Sequence, residues 1–159
     1  MTIEYISQFI LMAVLLVLSA FMSGSETALF SLSRRQVQSF SKSGSNLQKL
    51  VSRLLEDPRR LLTSILFGNM AVNVLYFALS SVLSVDMAKD YGSGTAAGQS
   101  LASFVLLVLF GEMLPKSFAY SHSIRFSMTA APVCYVFTRI FSPLLWFFEF
   151  FIVCSLKQA

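Results

Sequence analysis

Three clusters of oxygen-bearing residues, Ser23-Gly24-Ser25-Glu26-Thr27, Gly68-Asn69-Met70-Ala71-Val72-Asn73 and Gly111-Glu112-Met113-Leu114-Pro115-Lys116, each interrupt an apolar stretch long enough to cross a bilayer. Carboxylates, carboxamides and hydroxyls are expensive at membrane depth, and their presence there points to function. Glu112 supplies a negative charge. Pro115 has no N–H for the carbonyl four residues earlier, so an α-helix through this run leaves the Gly111 carbonyl unpaired beside that carboxylate. Gly68 removes a side chain where another backbone or an ion must approach, and Asn69 and Asn73 lie one helical turn apart on one face. Ser23 and Ser25 bracket Gly24 and add hydroxyls that take little room. The inventory is one of hard oxygen donors without imidazole or thiolate, which suits Mg²⁺ or Ca²⁺, or Na⁺, rather than zinc or copper.

Each residue also has a purely structural reading. Serine and threonine in membrane helices often serve only as interhelical hydrogen bonds, worth roughly 0.6–2 kcal/mol each. Glu112 and Lys116, at i and i+4 in the favourable order, can form an ion pair. Glu26 is either a second carboxylate near the ion path or the partner of Lys116, and the sequence leaves both open. The shared depth of the clusters favours function. Ser25 precedes Arg34 by nine residues, Asn69 follows Arg60 by nine, and Glu112 precedes the polar Ser121-His122-Ser123 turn by about as many. Eight helical residues place all three about 12 Å inside one membrane face.

The elements that must position them follow from composition. The chain has 159 residues, of which 55% are hydrophobic and only 13% charged, with a mean hydropathy of +0.69. That balance belongs to an integral membrane protein. Spans are expected at about 5–32, 61–85 and 99–120. The first resembles a signal peptide but lacks a basic leader and a small-residue cleavage site, and is read as a retained helix. Arg34, Arg35, Lys42, Lys49, Arg53, Arg59 and Arg60 fall between the first two spans against only Glu56 and Asp57, which puts that loop in the cytoplasm and the N-terminus outside.

Within the basic loop, Leu47, Leu50, Val51, Leu54 and Leu55 recur at helical spacing with Gln48, Lys49 and Arg53 opposite, as in an amphipathic helix on the inner leaflet. Its apolar flanks argue against nucleic acid as a partner. Asp57-Pro58 reads as an N-cap followed by proline at the first helical position of span two. The region about 126–157 carries Pro132, Pro143, Arg139 and Glu149, and is expected to form two shorter juxtamembrane helices rather than a fourth crossing, leaving the C-terminus cytoplasmic. Cys134 and Cys154 lack metal-ligand spacing and read as reduced packing thiols.

The run Ser23 to Ala28, the Gly68-Asn69 pair with Asn73, and Gly111-Glu112-x-x-Pro115-Lys116 resemble the transmembrane domain of the cyclin M/CorC family of magnesium transporters, over nearly the whole chain. The resemblance implies an all-α homodimer of three-helix protomers with a juxtamembrane helical belt, exporting Mg²⁺ in a sodium-dependent way. It implies Ser25, Asn69 or Asn73, Glu112, and the carbonyls of Gly68 and Gly111 as ion ligands; Ser23, Glu26 and Lys116 are read as ion path or support. Family members continue into paired cytoplasmic CBS domains that bind adenine nucleotides. Such domains are expected partners in a full-length protein, and these 159 residues read as an isolated membrane domain.

Two other classes compete with this reading. An intramembrane hydrolase would need a base for Ser25, and no histidine falls in any expected span, so no enzymatic activity is expected. The stronger rival is a non-transporting anchor or Mg²⁺ sensor that reports ion occupancy to attached domains. The topology is directly testable. Single cysteines in loop 34–60 and in the C-terminal tail should resist membrane-impermeant thiol reagents in intact cells, and external labelling of the tail would rule out the three-span topology.

Overall fold

A computed structural model describes residues 2–156, with side chains for residues 5–141. Every element among them is helical. The helices are α1 (Thr2–Phe30), α2 (Arg34–Ser41), α3 (Asn46–Leu54), α4 (Pro58–Tyr91), α5 (Ser93–Leu106), a π-helical segment (Leu107–Met113), α6 (Leu114–Ser121) and α7 (Ser123–Leu156). Among the described residues, three stretches are long and apolar enough to cross a membrane: Tyr5–Phe30, Pro58–Tyr91 and Ser93–Ser121.

The burial pattern inverts that of a soluble protein. Ser19, Ser23, Ser25 and Ser64 are fully buried, whereas Val17 is 68% exposed, Met70 66%, Val74 65% and Leu101 65%. Water would penalise that surface, whereas hydrocarbon favours it, and a helix satisfies its own backbone hydrogen bonds without help from solvent. The three apolar helices therefore belong in a bilayer.

The chain divides into two compact units: one of residues up to Gly24 together with Gly68–Ser121, the other of Ser25–Phe67 together with residues from His122 onward. In the first unit, Met12, Leu15, Tyr76, Leu83 and Leu107 form the buried apolar cluster, with Leu16, Val72, Leu79 and Met87 packed against it. At one end of this unit the Tyr5 hydroxyl donates to Asp90 Oδ2 at 2.6 Å. Helix α4 passes to α5 through Gly92 alone, whose φ of 91° and ψ of 166° lie where only glycine is at ease.

In the second unit, Ser33 caps α2 by accepting from the Gln36 N–H, and the Gln36 side chain accepts from the Ser33 N–H in return. Asp57 Oδ1 accepts from the Arg60 N–H at 3.2 Å, and α4 opens at Pro58, the cap that the Asp57-Pro58 pair predicts. Helix α3 packs against α2 and α7. Val51 and Leu54 are buried while Leu47 stays 44% exposed, so protein covers much of the stripe that the sequence assigns to a lipid surface. The expected pair of juxtamembrane helices is instead one helix, α7, running unbroken through Pro132 and Pro143. Proline removes one N–H and crowds one carbonyl, which need only bend a helix when its remaining turns are held by packing. Ala130, Ala131 and Cys134 beside Pro132 are buried, and Phe67 and Phe137 stack on Phe141 at 5.2 and 4.5 Å. Burial pushes the Cys134 thiol up to about 11 against the opposing effect of a hydrogen bond with Ser25, so it is a protonated packing thiol at neutral pH. Cys154 lies outside the described side chains.

Gly92 generates a test. No heavy atom lies within 4 Å of an added Cβ there, so Gly92→Ala meets no clash, only a backbone conformation that costs of order 1–3 kcal/mol. Thermal melting in mild detergent should show a clear loss of stability. Gly94→Ala, equally open but at ordinary φ, should be close to neutral.

Candidate ion site

Within the first unit, one face of α4 meets Ser19 of α1 and the π-helical segment. The Asn73 Nδ2 donates to Glu112 Oε1 at 2.9 Å. The Ser19 hydroxyl lies 2.7 Å from Asn73 Oδ1 and 3.4 Å from Asn69 Oδ1. One hydroxyl hydrogen cannot serve both well, and the shorter contact carries the bond. Asn69 and Ser19 are buried, and Asn73 and Glu112 are half-buried. Asn73 thus bridges α1 to the π segment, its oxygen towards Ser19 and its amide hydrogens towards the carboxylate.

Gly111 sets how closely these elements approach. A Cβ there would stand 3.0 Å from Leu107 Cδ1 and 3.1 Å from Ser19 Oγ. The leucine methyl can swing aside, but the serine oxygen cannot move without loosening its bond to Asn73. Glycine at this position therefore lets α1 close onto the site.

The backbone around Glu112 differs from the α-helix that the sequence predicts. The Leu114 N–H bonds the Leu109 carbonyl, five residues back, and α-helical pairing resumes with α6. Between the two registers, the carbonyls of Phe110, Gly111 and Glu112 share only positions 115 and 116 as donors, and residue 115 is proline. Three acceptors thus face a single N–H. The unpaired oxygen expected at Gly111 becomes a group of three carbonyls, at least two of them without an intrahelical donor. A π segment is a costly departure from α geometry that occurs disproportionately at functional sites.

The predicted residues are distributed as follows. Asn69, Asn73, Gly111 and Glu112 come together in the first unit, with Gly68 buried one residue before Asn69 and Ser23 and Gly24 buried on α1. Asn73 bonds both Ser19 and Glu112, and Asn69 Oδ1 stands 3.4 Å from the same serine hydroxyl. Ser25 and Glu26 fall in the second unit, where Ser25 is fully buried and bonded with Cys134; Lys116 falls in the first. Ser19 was not anticipated. Its position one helical turn before Ser23, on the stripe of Met12 and Leu15, was the available signal. No three His, Cys, Asp or Glu side chains converge among the described residues, so neutral oxygens such as those of Ser19, Asn69 and Asn73 stand beside the Glu112 carboxylate.

The burial pattern and the buried polar network define a multi-pass membrane domain. Residues 10–158 match the cyclin M transmembrane N-terminal domain, and the chain belongs to that family. It is 37% identical over 143 residues to a UPF0053 protein of Haemophilus influenzae, covering 90% of this chain and 33% of that protein. It is 33% identical over 129 residues to the UPF0053 inner membrane protein YfjD of Escherichia coli, covering 81% and 29% respectively. A Haemophilus influenzae protein named as a polyamine export protein is 26% identical over 159 residues, 94% of this chain and 37% of that protein. The chain thus spans about a third of the length of these relatives.

Gly111→Ala should destabilise the protein by about 1–3 kcal/mol, the usual cost of overpacking. In the Ser19→Ala background, which removes the oxygen that the new Cβ meets, the added cost should be smaller. A double-mutant cycle in detergent melting reads this coupling. Strict additivity would show that Gly111 does not act through Ser19.

Proposed function

We propose that this domain carries Mg²⁺ through the bilayer, with Glu112 as the charged ligand and Asn69, Asn73 and the free carbonyls around Gly111 as neutral ones. The carrying observation is the Asn73 amide donating to Glu112 Oε1 at 2.9 Å. A carboxylate half-buried among apolar helices needs positive charge beside it, and here a neutral N–H₂ stands where a cation would be more favourable. Turning the Asn73 amide by half a revolution exchanges that N–H₂ for its oxygen. Glu112 and Asn73 then offer two oxygens to one point. A hard ion held by oxygen alone fits this set, and the resemblance to magnesium transporters supports Mg²⁺ in particular.

The proposal extends to sodium-coupled export, a homodimer, cytoplasmic CBS domains in a full-length protein, and an N-terminus outside with the C-terminus in the cytoplasm. Charge bias in loop 34–60 supports the orientation, and the greater length of the relatives leaves room for the CBS domains. A primary ammonium would also be received by these oxygens, and one relative carries the name of a polyamine exporter. Spermidine therefore belongs in the transport assay as a competitor. A pure anchor or sensor would bind the ion without flux.

Glu112→Gln tests the site. An ion that binds only the folded state adds RT ln(1 + [L]/Kd), about 2.7 kcal/mol at 100 Kd, so millimolar Mg²⁺ should raise the wild-type melting temperature. Glu112→Gln should abolish that shift while the protein stays folded, and should stop Mg²⁺ flux in proteoliposomes. Asn73→Ala should weaken the shift less. A wild-type shift in Glu112→Gln would reduce Glu112 to a structural partner of Asn73.

A further inference from the structure

The polar face of α4 does not end at Asn73. Tyr76, Ser80 and Ser84 continue it at spacings of three, four and four residues, a single stripe about 16 Å long towards Gly92. Along it the Tyr76 hydroxyl donates to the Ser103 carbonyl at 3.2 Å. Gln99 Nε2 lies 2.8 Å from Ser103 Oγ and 3.3 Å from Ser80 Oγ. Further out, the Ser100 hydroxyl donates to Ser84 Oγ at 2.9 Å.

Two observations set this seam apart from a serine zipper that only joins helices. With both amide hydrogens directed to serine oxygens, the Gln99 carbonyl oxygen is buried and has no hydrogen-bond partner. A buried acceptor left unmet costs free energy, and its persistence calls for a group that meets it. The seam is also interrupted at one level. Tyr76, only 2% exposed, packs with Met12, Leu15 and Leu107 between the Glu112 network and the Gln99 network.

We propose that Gln99, with Ser80 and Ser103, forms a second, uncharged cation-receiving position, hydrated from the Gly92 end of α4 and α5 and separated from the Glu112 site by the Tyr76 barrier. It rests on the cation-transport reading above and assigns the outward half of the path. An ion leaving the carboxylate passes the barrier and regains oxygen ligands at the Gln99 carbonyl before reaching bulk water. Because no carboxylate holds it there, the ion binds weakly and leaves readily.

The test measures water and cation access separately. In a protein carrying Cys134→Ala and Cys154→Ala, the single replacements Ser80→Cys and Ser84→Cys are exposed to an impermeant methanethiosulfonate from the Gly92 side. Both should react at least tenfold faster than Val82→Cys, whose native side chain is 52% exposed on the apolar surface. Millimolar MgCl₂ should slow Ser80→Cys modification severalfold. Adding Gln99→Met should remove that protection, and Gln99→Glu, which keeps an oxygen, should retain it. A Ser80 position no more reactive than Val82 would make the seam a dry helix contact and overturn the proposal. So would modification indifferent to MgCl₂, or protection that survives Gln99→Met. The Glu112-dependent melting shift, read on the same preparations, shows independently whether the inner site binds Mg²⁺.

Discussion

The hydrogen bond from Asn73 to Glu112 is the interaction on which the first unit turns. A carboxylate at membrane depth is tolerable only if something compensates its charge, and an amide on the neighbouring helix donates to it here. That contact fixes the rotation of α4 about its axis, because Asn69 and Tyr76 share the face that Asn73 presents. It also fixes α1, since Ser19 must sit within 2.7 Å of the same asparagine. Gly111 gives the space for that approach. Removing Ser19, Asn73 or Glu112 leaves another polar group without its partner, which costs more than the bond itself contributes.

In a bilayer, apolar side chains gain little by meeting one another, because lipid tails are as apolar as leucine. Small residues and hydrogen bonds must then bring helices together. Buried serines on α1 and α4 and the exposed valines, leucines and phenylalanines around them express this division of labour. The same polar atoms that hold the helices are those a cation could use. Under the proposed function, structure and transport draw on one set of oxygens, and an entering ion would displace a hydrogen bond that stabilises the fold.

Much of this was legible in the residues. Polar clusters in apolar runs marked Asn69, Asn73, Gly111 and Glu112, and the Asp57-Pro58 pair marked the start of α4. Ser19 was less visible because one serine in the Phe9–Met22 run reads as packing until its neighbour across the helix pair is known. The π segment left no periodic trace, since Leu106 to Phe110 is apolar at every position and fits a period of 3.6 or 4.4 equally well. Pro132 misled for the opposite reason. Its local cost is real, but burial of the flanking alanines and Cys134 in tertiary contacts carries the helix through it.

The single glycine between α4 and α5 makes the two helices arms of a lever with its fulcrum at Gly92. Displacement on such a lever grows in proportion to distance from the pivot. Asn73 lies eighteen residues from Tyr91, about 27 Å along the arm. A rotation of roughly 5° would therefore part the arms by about 2 Å at Asn73 and by far less at Ser84. That distance is comparable to a Mg²⁺–oxygen bond of about 2.1 Å. Small angular play at a residue with no side chain would thus be sufficient to make or break the proposed ion coordination at the far end of the hairpin.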